Sequence, residues 1–265
     1  PDVTDLSLGQ VFAGRRAVGK AALIPYVTGG YPGPDATVEL MLALADDGSD
    51  IIELGVPFSD PLADGPTIQQ SSFVSLAGGT TVESVLTDLG TYRKTRDAPV
   101  VLFTYLNPIL RFGLDAFLGS AVDSGASGLL ITDLPAGADP DLEGRIGASG
   151  LDLIRLVAPT TPPERVPRIA DAGSGFLYYI SRTGVTGARA VLRDDLAEEV
   201  QRLRAAQSLP VAVGFGISTP DQARAVADVA DGVVVGSALI QTVGAEGIRG
   251  AADFIASLRQ GMDAG

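Results

Sequence analysis

The chain contains no cysteine and no histidine. Without cysteine there is no disulfide framework and no thiolate chemistry. Without histidine, acid–base work near neutral pH falls to Asp, Glu, Tyr, Lys or groups of the substrate. A His-containing metal site is excluded, and no all-carboxylate cluster stands out as a motif, so no metal is expected. Lysine occurs only at Lys20 and Lys94, neither at the end of an apolar strand-like run, which argues against a Schiff-base mechanism. No run of about 18 apolar residues offers a spanning helix, and no charged-then-apolar leader opens the chain. A cytoplasmic protein is expected. Basic residues are also scarce: 19 Lys and Arg face 32 Asp and Glu, a net charge of −13. That balance argues against broad nucleic-acid binding and against docking on anionic membranes, since both need a basic surface.

What is present is ample apolar material: 265 residues, 46% of them hydrophobic, enough for one large α/β domain or two small ones. Short β-rich runs lie at 21–28, 50–55, 99–105, 128–133, 151–157, 175–180, 210–216 and 232–237. Between them fall amphipathic stretches such as "DATVELMLALADDG", "DDLAEEVQRLRAAQ", "TPDQARAVADVAD" and "AEGIRGAADFIASLRQG". Near-continuous apolar strands alternating with helices imply a parallel sheet covered by helices. Eight such units predict an α/β fold, a single (β/α)8 barrel over residues 1–265, with "DLSLGQVFAG" as an extra helix at the front. An open doubly wound sheet is the competing fold, but no G-x-G-x-x-G follows the first strand.

Barrel chemistry belongs at the C-terminal ends of the strands, where long βα connections are unusual. Two are long here, 56–66 and 181–193. The first follows "IIELGVPFSDPLADGPTIQQ", residues 51–70, an apolar run interrupted by Glu53. Strand alternation puts Ile51, Glu53 and Gly55 on one face and Ile52 and Leu54 on the other. The apolar pair suits the helix layer, so Glu53 points into the barrel. A buried, unpaired carboxyl takes a raised pKa, as a general acid requires. The structural alternative pairs Glu53 with a backbone amide or with Arg155 on the fifth strand. In the loop, Pro57, Pro61 and Pro66 limit chain freedom and so place its tips reproducibly. Asp60 and Asp64 are the polar tips, and both also fit ordinary turn chemistry in "SDP" and "ADG". Residue type does not separate them.

After strands seven and eight, "GFGIS" (214–218) and "VVVGSA" (233–238) lead into helices. Gly214, Gly216 and Gly236 admit close backbone approach, and Ser237 adds a hydroxyl. Such loops hold phosphate on backbone N–H groups and a helix N-terminus, with no need of Lys or Arg. The alternative is tight turns alone. "SRTGVTGARAVLR" after strand six reads as a lid, with Thr186 and Gly187 placed to touch phosphate or steady the carboxylate loop, or else as a mobile surface loop. Tyr26, Tyr105 and Tyr178 fall near strand ends with Leu130 and Phe215 at comparable levels. They either line a pocket for a flat aromatic group or pack the barrel core.

With these residues in view, the chain resembles the tryptophan synthase α subunit family. "ELGVPFSDPLADGPTIQ" is that family's signature. The likeness runs on through "PYVTGGYP", "TYLNPI", "ITDLP", "YYISRTGVTG", "GFGIS" and "VGSA", in order along nearly the whole chain. The resemblance implies a (β/α)8 barrel that cleaves indole-3-glycerol phosphate to indole and glyceraldehyde 3-phosphate. It assigns Glu53 as the general acid–base that protonates indole C3, and Asp64 as the carboxylate accepting the indole N–H. Tyr178 matches the family's tyrosine against the substrate, and Tyr26, Tyr105, Leu130 and Phe215 stand beside it as candidate substrate-lining residues. Thr186 is the lid threonine that contacts the aspartate. Gly187, Gly214, Gly216, Gly236 and Ser237 form the phosphate site. Tyr26 stands where phenylalanine is frequent in the family.

The family also implies a β subunit partner in an α2β2 assembly. That partner carries pyridoxal phosphate, leaving this chain without a cofactor. Pro57, Asp60, Asn107 and Pro108 resemble the surface that meets it. A free-standing indole-3-glycerol phosphate lyase, a sugar-phosphate isomerase or epimerase, and a catalytically silent activating barrel are the rivals.

Overall fold

Each apolar run becomes a parallel strand, and the eight strands close on themselves in the order β1 to β8. A computed structural model describes residues 6–180, 196–214 and 216–264. The strands are β1 (Ala22–Thr28), β2 (Ile52–Gly55), β3 (Val100–Thr104), β4 (Gly128–Ile131), β5 (Asp152–Val157), β6 (Leu177–Ile180), β7 (Val211–Gly214) and β8 (Gly232–Val235). The helices on the N-terminal half are α1 (Leu8–Ala17), α2 (Ala36–Asp46), α3 (Pro66–Ala77), α4 (Val82–Arg93), α5 (Leu106–Phe112) and α6 (Leu114–Asp123). Those that follow are α7 (Pro140–Ala148), α8 (Val166–Asp171), α9 (Leu196–Ala206), α10 (Pro220–Ala227) and α11 (Ser237–Asp263). Closure is made by β8 against β1, with Ala22 opposite Gly232 and Pro25 opposite Val235. The expected (β/α)8 barrel is therefore present, with its front helix; the open sheet is not.

Side-chain alternation sorts the strands into two cores. Outward residues such as Leu23, Ile52, Leu54, Leu102 and Leu153 join the helices in one large cluster. The helices meet it with period-3.6 faces: Val85, Leu86, Leu89 and Tyr92 of α4 are buried at i, i+1, i+4 and i+7. Inward residues, including Ile24, Ile51, Val101, Leu130, Ile154 and Ala212, form a second cluster inside the barrel. Burying a side chain of this size stabilises by about 1.5–3 kcal/mol.

Helix α1 closes the N-terminal end of that inner core. Ser7 and Gln10 cap it reciprocally, and Leu8 and Phe12 turn inward, the Phe12 ring 5.4 Å from that of Phe176. The last helix is longer than the sequence pattern indicates. Leu239, Ile240 and Val243 give the segment from Ser237 its own buried face, and Gly247 (φ 73°), the third residue of the stretch that the pattern picks out, breaks the helix there. Among the described residues no helix is long and apolar enough to cross a membrane.

Candidate active site

Strand β2 delivers Glu53 to the inside of the barrel, opposite Tyr26 of β1 and Val101 of β3. Its side chain is completely buried, and neither carboxyl oxygen meets a hydrogen-bond partner among the described residues. Burial alone lifts its pKa to about 8, because nothing offsets the lost hydration of the anion. Arg155 is not its partner. Alternation along β5 turns Arg155 outward beside Leu153 and Val157, where Nη2 lies 2.6 Å from Glu143 Oε2 of α7. Its Nε and Nη1 donate to the carbonyls of Ala172 (2.9 Å) and Leu134 (3.2 Å). The structural alternative that paired Glu53 with Arg155 is thereby excluded.

The loop after β2 folds back so that Asp64 faces the same cavity as Glu53. The Tyr105 hydroxyl anchors it, accepting from the Ala63 amide at 3.0 Å and donating to the Asp64 carboxylate. Gln69 of α3 donates to the Asp64 carbonyl (2.9 Å) and to that of Pro61 (3.4 Å). Half-buried, Asp64 has its pKa raised to about 6 by desolvation, an effect the Tyr105 hydrogen bond limits. Asp60 instead is exposed and accepts from Ser59 Oγ at 2.6 Å. Between about pH 6 and 8, then, one cavity holds a protonated carboxyl and an ionised carboxylate.

The cavity has a volume of about 270 Å3. Of the residues singled out from the sequence, it brings together Tyr26, Glu53, Asp64, Tyr178, Gly214, Gly216, Gly236 and Ser237. Gly236 and Ser237 open α11 with no side-chain cap on its first N–H groups, whereas Thr219 caps α10 by accepting from Gln222. Gly216 holds a left-handed conformation (φ 54°). Among the described residues no Lys or Arg lines the cavity, and the backbone N–H groups at the start of α11 are donors that could hold an anion there. Leu130 lies deeper, fully buried in the inner core, and Tyr105 reaches the site through Asp64 rather than by lining it. Thr186, Gly187, Phe215 and the 181–193 lid fall outside the described residues. Pro57, Asn107 and Pro108 line a second cavity with Phe58 and Arg111. Phe103, Thr132, Leu156 and Val234 also line the first cavity and went unmarked in the sequence. Alternation applied to β3, β5 and β8, as it was to β2, would have found three of them.

Two tyrosines occupy space that inward-facing glycines leave. A methyl group on Gly55 would overlap the Tyr26 hydroxyl, and one on Gly214 would overlap that of Tyr178. Gly214→Ala is therefore expected to destabilise by about 1–3 kcal/mol and to lower kcat/KM, seen in urea unfolding and steady-state kinetics. An unchanged midpoint together with an unchanged rate would show that Tyr178 yields freely.

Among the described residues no group of three or more carboxylates, His or Cys could hold a metal. Residues 12–263 match the family model described as tryptophan synthase alpha chain. The chain is 47% identical over 255 residues to the tryptophan synthase alpha chain of Geobacter sp. (strain M21), covering 95% of this chain and 96% of that one. It is 47% identical over 257 residues to that of Burkholderia pseudomallei (strain 1106a), covering 95% of each. Among solved structures it resembles tryptophan synthase subunit alpha from Legionella pneumophila, with a TM-score of 0.90 and 37% identity over 97% of this chain and 98% of that one. A chain of Mycobacterium tuberculosis tryptophan synthase gives a TM-score of 0.89 and 40% identity, with 97% and 98% covered.

Proposed function

The chain belongs to the tryptophan synthase alpha chain family, a family of lyases, and from that premise we propose that it cleaves indole-3-glycerol phosphate by a retro-aldol reaction. One observation carries this reading. A single cavity is lined by a protonated and an ionised carboxyl and by a helix N-terminus without a side-chain cap, with no basic side chain among its described lining residues. The whole chain is read as one catalytic domain.

Glu53 gives its proton to indole C3, and Asp64 accepts the ring N–H as positive charge develops on that nitrogen. The bond from C3 to the glyceryl carbon then breaks, and its electron pair restores the indole. As the glyceryl hydroxyl becomes the aldehyde, its proton passes to the Glu53 carboxylate, and the acid is regenerated. Tyr26 and Tyr178 flank the ring. The backbone at Gly216, Gly236 and Ser237 receives the phosphate.

Indole is handed to a β subunit, the expected α2β2 partner. Schiff-base chemistry with pyridoxal phosphate is assigned to that subunit, because neither lysine of this chain lines the site. The second cavity, with Pro57, Asn107 and Pro108, and exposed Asp60 supply the proposed docking surface. No spanning helix occurs among the described residues, in keeping with a cytoplasmic enzyme.

The test is indole release from indole-3-glycerol phosphate, with and without a β subunit. Weak activity alone and strong stimulation by the partner are expected. High turnover without partner would favour a free-standing lyase, and no release under either condition would remove the reaction. Because Asp64 must be ionised and Glu53 protonated, kcat/KM should fall below about pH 6 and above about pH 8. Asp64→Asn should erase the acid limb; a limb that survives belongs to another group.

A further inference from the structure

Glu53 presents a problem that the reaction makes worse. Giving up its proton leaves an anion in a site where, among the described residues, its oxygens have no partner. A donor that engages the carboxylate only as it forms would favour the transition state over the ground state. Among the described residues, the titratable groups facing Glu53 are Tyr26 from β1, Asp64 from the loop after β2 and Tyr178 from β6, and no Lys or Arg lines the cavity. Asp64 is an acceptor. Tyr105, behind it, is occupied by Ala63 and Asp64. Tyr178, across the barrel over Gly214 of β7, also feels the Glu53 charge and is the rival donor.

Three observations favour Tyr26, the first of them not shared by Tyr178. It is the ladder partner of Glu53, one strand away, with both side chains turned inward. Its hydroxyl occupies the space that Gly55 leaves, and Gly55 is the next inward position on the strand that carries Glu53. Finally, among the described residues no acceptor takes the Tyr26 proton. Thr28 Oγ1 donates to the Tyr26 oxygen at 3.4 Å, and Ser71 Oγ lies 2.7 Å from Thr28 and 2.9 Å from the Ile68 carbonyl. With the Thr28 proton given to Tyr26, Ser71 shares its proton between Thr28 and that carbonyl. The chain of hydroxyls ends on Tyr26 as an acceptor and leaves its O–H for the cavity. The ring is fixed by an edge contact with Phe103, centroids 5.2 Å apart.

We propose that Tyr26 is a positioning residue whose hydroxyl donates to the Glu53 carboxylate as its proton leaves, held for that task by Thr28 and by the absence of a side chain at Gly55. The inference rests on Glu53 being the acid of the proposed reaction. A donor to the charged form lowers a carboxyl pKa, so removing it must raise that pKa.

The experiment is the pH profile of indole release for the parent chain, Tyr26→Phe, Gly55→Ala, Tyr178→Phe and Glu53→Gln, each with the β subunit. Tyr26→Phe keeps the ring and should lower kcat by about ten- to a hundredfold with KM little changed. Its alkaline limb should move up by about one pH unit. Gly55→Ala, which displaces the hydroxyl, should move the limb the same way. If the limb stays at the parental pH in Tyr26→Phe, or moves only in Tyr178→Phe, the donor role is overturned while the acid role stands, provided Glu53→Gln is inactive. Should Glu53→Gln keep its rate, the acid assignment itself falls.

Discussion

Glu53→Gln should lower the rate of indole release by about 10²–10⁴-fold, the range that one positioned proton donor supplies. The amide fits the same space inside β2 but has no acidic proton to give. The loss should appear in kcat, with substrate binding preserved, because the cavity walls and the anion end are untouched. Stability provides the control that separates lost chemistry from lost folding. Glu53 titrates near 8 in the folded chain and near 4.5 in the unfolded one, so folding takes up a proton between those pH values. Stability therefore falls as pH rises through that window, and the contribution is complete only below it. The Gln variant carries no such proton and should lose less of its melting temperature between pH 5 and 8 than the parent does. A variant that is inactive and also unfolded at pH 7 would leave the kinetic loss without chemical meaning, and retention of most of the parental rate would make the acid role of Glu53 wrong.

The second large effect concerns stability alone. Arg155→Met should destabilise the fold by about 3–5 kcal/mol, because it strands Glu143 as a nearly buried charge. It also orphans two carbonyls that Arg155 holds, Leu134 between β4 and α7 and Ala172 after α8. Replacing both partners, Arg155→Met with Glu143→Leu, should recover much of the loss, since an apolar pair of similar volume needs no counter-ion. Urea unfolding of the parent, the two single variants and the double variant measures the coupling. Additive losses in that cycle would mean that the pair does not act as a unit. Because Arg155 faces the helix layer, kcat of the folded fraction should change little.

How far the site could be read from sequence follows from which contacts are local. Glu53 was legible because period-2 alternation needs only its neighbours, Ile52 and Leu54. The same rule, applied to "LDLIRLV", turns Arg155 away from Glu53 and would have removed the rival pairing at once. Phe103 and Leu156 were within its reach too. Asp60 and Asp64 could not be separated by residue type, because what distinguishes them is Tyr105, which arrives from the end of β3 and clamps Ala63 and Asp64. That meeting depends on strand register across the barrel. Gly214 was read for phosphate alone; the room it leaves for Tyr178 depends on how β6 lies against β7. The barrel itself was legible as eight apolar runs alternating with amphipathic stretches, while the first half of α11, with only three buried anchors before Gly247, was too short to stand out.

The helix ahead of β1 bears on traffic. Leu8 and Phe12 stopper the barrel from beneath, packed among Ile24, Ile51, Val101 and Phe176 with no exposed surface to spare. The reaction vessel is blind at that end. Whatever enters at the strand tips must depart at the strand tips, so two fragments of unlike character share one doorway. In the proposed reaction the aromatic fragment would form beside Glu53 and Asp64 and the charged one beside Ser237, residues of the same cavity. Shortening Phe12 would open a leak at the wrong end, and a hydrophobic product would then have a second way out.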